Sequence, residues 1–108
     1  MTKAITATEA FVLIEDDKAI LIDVREADEF KGGHIADAIS IPLSSLEDGF
    51  KMLDIPKDKT ILFQCLKGAR GKMACERIQK LGLYQNKMIN LEGGIQAWKE
   101  SGLPVIGA

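Results

Sequence analysis

The chain has 108 residues, of which 46% are hydrophobic and 28% are charged, and its formal net charge is −2. This size and composition are typical of a soluble globular protein, and we expect a single domain over residues 1–108. The slightly acidic balance argues against nucleic acid or an anionic membrane as a partner, because both attract strongly basic chains.

The chain contains two cysteines, Cys65 and Cys75, and one histidine. Their spacings match neither a disulfide framework nor a zinc site, so we expect no metal and no cofactor. A working thiol needs a reducing compartment, and the first residues lack the apolar segment of a signal peptide. No run approaches the roughly eighteen apolar residues that span a bilayer. We expect a cytoplasmic protein, or a domain cut from a longer one.

Short apolar runs alternate with helix-like stretches, which is typical of an α/β domain with a mainly parallel sheet. A capping box formed by Thr6 and Glu9 predicts the start of the first helix, with Phe11 and Ile14 on one face. The continuous apolar run over 19–24 then predicts a strand that is covered on both sides.

The rest of the chain continues the alternation, and glycine or proline follows several of the predicted elements. These are a helix over 26–31, a strand over 38–41 ended by Pro42, a helix over 43–53 interrupted near Gly49, a strand over 61–64, a helix over 71–81, a strand over 88–91 and a helix over 94–101. In such sheets, ligands bind beyond the carboxyl ends of the strands.

Cys65 stands at such a position, directly after the strand predicted over 61–64. Apolar periodicity stops there and a short basic loop with two glycines begins. The sulfur should lie at the mouth of a strand-to-helix turn, where N–H groups and a helix terminus favour the thiolate. A thiolate in an amide-lined pocket suits nucleophilic chemistry on a small anion. We predict Cys65 as the catalytic residue and the following residues as the substrate-binding segment: Leu66, Lys67, Gly68, Ala69, Arg70 and Gly71.

The other chemically capable side chains have a less specific pattern. Lys67 and Arg70 have the character of solvated loop charges, although the planar guanidinium of Arg70 is suited to hold an oxyanion at the helix start. Cys75 and Trp98 occupy helical positions that predict core residues. His34 lies between Gly33 and an apolar isoleucine, which favours a structural histidine.

Four stretches together resemble the single-domain rhodaneses, the thiosulfate sulfurtransferase family, over about residues 5–106. They are 21–25 with Glu29 and Phe30, Gly33-His34-Ile35 with Ile41-Pro42, the loop over 65–70, and 91–94 with Trp98 and 102–105. The resemblance implies a rhodanese-like three-layer fold, with a five-stranded mainly parallel sheet flanked by helices on both faces. It also implies that Asp23 and Arg25 form charge pairs that support the fold. Ser40 departs from the asparagine common in the family.

The resemblance also implies an activity. A sulfane sulfur would move from thiosulfate or a similar donor to cyanide or a thiol acceptor, through a persulfide on Cys65. The implied partners are this small anionic donor and its acceptor, without nucleic acid or membrane.

The loop length discriminates among activities of the fold. Four residues separate Cys65 from Arg70, whereas the related cell-cycle protein phosphatases have five. Gly71 falls at the position of their arginine and cannot coordinate an anion through a side chain, which disfavours phosphatase and arsenate reductase activity. Two alternatives stay open: a non-catalytic binding or regulatory module, and a persulfide carrier that serves a partner enzyme.

Overall fold

The computed structural model describes residues 2–107, so the two terminal residues of the predicted domain lie outside the described part. Five parallel strands form one sheet in the order β1-β5-β4-β2-β3. The strands are β1 Lys3–Ile5, β2 Ala19–Asp23, β3 Ile39–Ser40, β4 Thr60–Gln64 and β5 Met88–Leu91.

Helices cover both faces of this sheet, which confirms the predicted fold class. They are α1 Ala7–Glu15, α2 Ala27–Lys31, α3 Leu46–Lys51, α4 Ala69–Leu81 and α5 Gly94–Glu100. One core cluster combines Phe63 of β4 with residues of α3 and α4. The other combines Leu62 of the same strand with residues of α1 and α5. Neighbouring residues of β4 therefore serve opposite cores, as expected for a strand buried on both faces.

The structure departs from the predicted elements most at three places, and other element ends differ by one or two residues. β1 was not predicted, because three residues are too few to show periodicity; pairing with β5 is what defines it. The helix predicted over 43–53 divides into a 3₁₀ turn at Leu43–Ser45 and then α3, so Gly49 lies inside the helix instead of interrupting it. α4 begins two residues before the predicted start at Gly71.

A buried ion pair ties the end of β2 to the segment after α2. The guanidinium of Arg25 donates to Asp23 at 2.8 Å and to the carbonyl oxygen of Gly33 at 2.8 Å. Both charged side chains are almost completely buried. Because an unpaired charge at this depth would be costly, each residue depends on the other. The pair supports the fold, in agreement with the expectation for these two residues.

The single histidine and the single tryptophan also have structural partners. The imidazole of His34 stacks on the ring of Phe30, and its Nδ1 lies 3.0 Å from the Phe30 carbonyl oxygen. The buried indole of Trp98 donates its N–H to the carbonyl oxygen of Pro104 at 2.8 Å. Both contacts agree with the structural interpretation of these side chains.

The aromatic centre of the core provides a test of the packing. Phe50 is fully buried, and its ring centroid lies 4.8 Å from that of Tyr84 and 5.9 Å from that of Phe63. We expect Phe50→Ala to lower the free energy of unfolding by about 3–5 kcal/mol, because it leaves a cavity. Met52, two residues later, is 85% exposed. Met52→Ala should therefore change the free energy of unfolding by less than about 0.5 kcal/mol. Urea denaturation of both variants measures the difference, and equal losses would contradict this packing.

Candidate functional site

Cys65 follows β4, which lies between β2 and β5 in the sheet. The loop over 66–68 connects it to α4. The side chain is 1% exposed and packs with the core cluster of α3 and α4. The sulfur therefore lies at the floor of the loop, deeper than the mouth of the turn where we expected it. The loop is short, because α4 begins at the fourth residue after the cysteine.

Two backbone N–H groups are directed at the sulfur. Gly68 N–H donates to Cys65 Sγ with a nitrogen–sulfur distance of 3.1 Å, and Gly71 N–H donates at 3.2 Å. Gly68 precedes α4 with φ = +118°, a conformation that side chains of L-residues rarely adopt. Both donors belong to the beginning of α4, where N–H groups lack helical partners and the helix dipole is positive. The local field therefore favours negative charge on the sulfur.

The carbonyl groups of the loop are held by the next strand and helix. Ile95 N–H donates to Cys65 O at 2.8 Å, and Gln96 N–H donates to Leu66 O at 3.1 Å. The Asn90 side chain donates from Nδ2 to Gly68 O at 2.9 Å. A planar trans peptide directs its C=O and N–H groups to opposite sides. Anchoring these carbonyls to α5 and β5 therefore directs the N–H groups that follow them away from these elements.

Asn90 and Gly71 meet in close contact. A Cβ atom on Gly71 would lie 2.2 Å from Asn90 Oδ1, so only glycine fits there without displacing the amide. Asn90 is buried, and its Oδ1 has no hydrogen-bond partner among the described residues. Asn90 thus holds Gly68 through its Nδ2 atom, and its Oδ1 atom excludes a side chain at residue 71.

The charged side chains of the loop differ in their surroundings. Arg70 donates from both terminal nitrogens to Glu29 of α2, at 2.7 and 3.0 Å. This hydrogen-bonded pair lowers the pKa of Glu29 to about 2 and raises that of Arg70. Lys67 is exposed, as are Leu66 and Ala69. The guanidinium that we considered as an oxyanion holder is therefore paired with a carboxylate of the chain.

Cys75 lies on the buried side of α4, in the same core cluster as Cys65. Burial raises the pKa of the Cys75 thiol to about 11, and the nearby charge of Glu76 adds to this effect. A thiol with this pKa is almost completely protonated at neutral pH, which makes it a weak nucleophile. Its placement agrees with the interpretation of Cys75 as a core residue.

Three groups of this site were missing from the sequence-based prediction. Glu29 was noted only as part of a motif, and the N-terminus of α5 was not linked to the loop. Asn90 left a detectable signal, because it is a polar residue within the apolar strand β5. A buried polar residue in such a strand indicates a specific hydrogen-bond partner.

Neither a metal site nor a membrane span emerges from the described residues. Within residues 2–107, no group of three or more His, Cys, Asp or Glu side chains could hold a metal ion. None of the helices in this part of the chain has the length and apolar character needed to cross a membrane.

Comparison with known protein families identifies the family of this chain. The model of the rhodanese-like domain family matches residues 6–101. The chain belongs to the rhodanese-like domain family. The resemblance drawn from the four sequence stretches is therefore confirmed.

Relatives of this rhodanese-like domain include a protein from Allochromatium vinosum named sulfurtransferase. It is 34% identical over 94 residues, which cover 87% of this chain and 84% of that protein. An uncharacterized protein from Synechocystis sp. is 40% identical over 94 residues, which cover 87% of this chain but only 50% of that protein. The crystal structure of a rhodanese-related protein from Thermoplasma volcanium is 36% identical, with a TM-score of 0.83 over 96% of this chain and 97% of that one.

The contact between Gly71 and Asn90 predicts the effect of one added methyl group. We expect Gly71→Ala to lower the free energy of unfolding by about 1–3 kcal/mol, because the methyl group overpacks a buried amide. In an Asn90→Ala background, the same change should be neutral or stabilising by up to about 1 kcal/mol, since alanine favours a helix. Urea denaturation of the four proteins measures this coupling.

Gly32→Ala is the matched control for that cycle. A Cβ atom at Gly32 would meet only ordinary contacts at 3.5 and 3.6 Å. We expect little change in its free energy of unfolding. A cost at Gly71 that persists in the Asn90→Ala background would show that the asparagine is not the obstacle.

Proposed function

We propose that this rhodanese-like domain is a sulfurtransferase in which Cys65 carries a sulfane sulfur as a persulfide. The observation that carries this proposal is the pair of N–H donors, from Gly68 and Gly71, directed at Cys65 Sγ at 3.1 and 3.2 Å. Without such donors, a buried thiol would be costly to ionise. The sulfurtransferase name of the Allochromatium vinosum relative supports the same class of reaction.

The reaction proceeds in two steps that balance in atoms and charge. The Cys65 thiolate attacks the outer sulfur of a donor such as thiosulfate, the sulfur–sulfur bond of the donor breaks, and sulfite leaves with the electron pair. The terminal sulfur of the resulting persulfide carries the negative charge. A nucleophile such as cyanide then takes this sulfur as thiocyanate and releases the Cys65 thiolate. Sulfur thus moves by covalent catalysis of the ping-pong type.

The loop amides stabilise both anionic forms of the site. Before transfer, Gly68 and Gly71 donate to the thiolate. After transfer, the negative charge lies one sulfur further out. We expect the N–H groups of Leu66, Lys67 and Ala69 to donate to it, because the carbonyl groups before them are bound by α5 and β5. Preorganised donors of this kind stabilise developing charge without reorganisation during the reaction. The exposed ammonium of Lys67 adds long-range attraction for an anionic donor.

The short loop distinguishes this reaction from phosphoryl transfer. Gly71 holds the position where a loop one residue longer carries arginine, and its amide already donates to the sulfur. Contact with Asn90 leaves no room there for a side chain. Residue 71 therefore supplies no cationic side chain. A single sulfur atom suits this loop better than a tetrahedral phosphoryl dianion. A reducing compartment such as the cytoplasm would keep Cys65 free to react.

Substitution of the nucleophile tests the mechanism directly. We expect Cys65→Ser to retain the fold but to abolish thiocyanate formation from thiosulfate and cyanide, because the hydroxyl does not form the persulfide. Cys75→Ala is the control, and it should retain activity because Cys75 lies in the core. Turnover by the Cys65→Ser variant would refute the mechanism.

The covalent intermediate has its own signature. After thiosulfate treatment, intact-mass analysis of the Cys75→Ala protein should show one added sulfur, about 32 Da, that cyanide removes. Repeating the measurement with mercaptopyruvate and with a low-molecular-weight persulfide identifies the preferred donor. Loading by the persulfide alone would favour the carrier function, and loading by none of the donors would favour a non-catalytic module.

A further inference from the structure

The Arg70–Glu29 ion pair joins the active loop to a distant part of the sequence. Glu29 belongs to α2 and Arg70 to the first turn of α4, and two hydrogen bonds of 2.7 and 3.0 Å connect them. The two side chains are 31% and 33% exposed, respectively, so solvent and small ions reach the pair. An ion pair at this exposure exchanges partners far more readily than a buried one.

The pair belongs to the electrostatic surroundings of the thiol. Arg70 directly precedes Gly71, whose N–H group donates to Cys65 Sγ. The pKa of Arg70 lies above its usual value mainly because Glu29 accepts its hydrogen bonds, and the negative charges of Cys65 and Asp23 contribute in the same direction. Because the pKa of Glu29 is only about 2, this carboxylate is ionised at neutral pH.

We propose that Glu29 sets the charge preference of the site by occupying the guanidinium of Arg70, so that an anionic donor must displace the carboxylate to use that cation. The inference rests on the proposed function for its meaning, because only a reactive Cys65 makes the preference relevant. Glu29 is a positioning residue that acts through Arg70. It lowers attraction for anionic donors relative to neutral ones, since the paired charges largely cancel.

A purely structural ion pair would behave differently. If the pair only held α2 against the loop, loosening it would change the access of charged and neutral reagents to Cys65 by the same factor. A ratio of rates for two reagents of equal size and different charge therefore separates the two roles. Glu29→Gln is suitable, because glutamine preserves the side-chain shape and the capping contact that Glu29 makes with the backbone N–H of Glu26.

The experiment compares alkylation of Cys65 by iodoacetate and by iodoacetamide, in the Cys75→Ala background, with intact mass as the readout. We expect Glu29→Gln to raise the iodoacetate-to-iodoacetamide rate ratio by about threefold to tenfold at low ionic strength, and less at high salt. Asp28→Asn is the control with the same change in net charge. Asp28 is exposed on the same helix, so the ratio should stay within a factor of about two.

A double-mutant cycle tests whether Arg70 mediates the effect. In an Arg70→Gln background, Glu29→Gln should alter the ratio by less than about twofold, because the cation that Glu29 occupies is absent. An undiminished effect in that background would overturn the proposal in favour of direct repulsion by Glu29. An equal change in both rates, or a Cys65 that neither reagent reaches in the wild-type and Glu29→Gln backgrounds, would also overturn it.

Failure of the proposed function would be visible separately. The alkylation ratio requires a reachable thiol but no sulfur transfer, whereas thiocyanate formation requires the complete reaction. If the charge preference and the proposed sulfur transfer are both correct, Glu29→Gln should lower the KM for thiosulfate by a similar factor, with a smaller change in kcat. A protein that shows the alkylation effect but forms no thiocyanate would retain the charge preference and lose the proposed activity.

Discussion

The candidate site depends on how later elements hold the backbone of the loop that follows Cys65. The carbonyl oxygens of Cys65, Leu66 and Gly68 accept hydrogen bonds from Ile95, Gln96 and Asn90, respectively. Because a trans peptide is planar, the N–H groups that directly follow these carbonyls have to face elsewhere. This arrangement requires β5 to lie beside β4, which the sheet order provides. The chemistry of a loop near residue 65 therefore depends on a strand and a helix that follow it by about 20 to 35 residues in the sequence.

Backbone groups, more than side-chain charges, make this site suitable for an anionic sulfur. The obvious cation, Arg70, is paired with Glu29, and Lys67 lies in solvent. N–H dipoles at the beginning of α4 cannot be screened by mobile counterions in the way that an exposed lysine is. The glycines of the loop matter through their backbone: Gly68 has a positive φ, and a Cβ atom on Gly71 would overlap Asn90.

Much of the fold was accessible from the sequence, because periodicity and caps mark its longer elements. The capping box at Thr6 is present, and the buried strand around residue 21 matches its apolar run. β1 escaped detection because only pairing with β5 defines it. The position of Cys65 could be inferred from the order strand, thiol, glycine and helix. The partners Glu29 and Asn90 could not be assigned, because they come from separate elements that meet only in the folded chain.

The two outer strands of the sheet have a consequence for how this domain is used. β1 has three residues and includes Lys3, while β3 has two and lies two residues before Pro42. Short edges that carry lysine or lead into proline offer little template for another chain to add a strand. The fold is thereby protected against edge-to-edge aggregation at both margins.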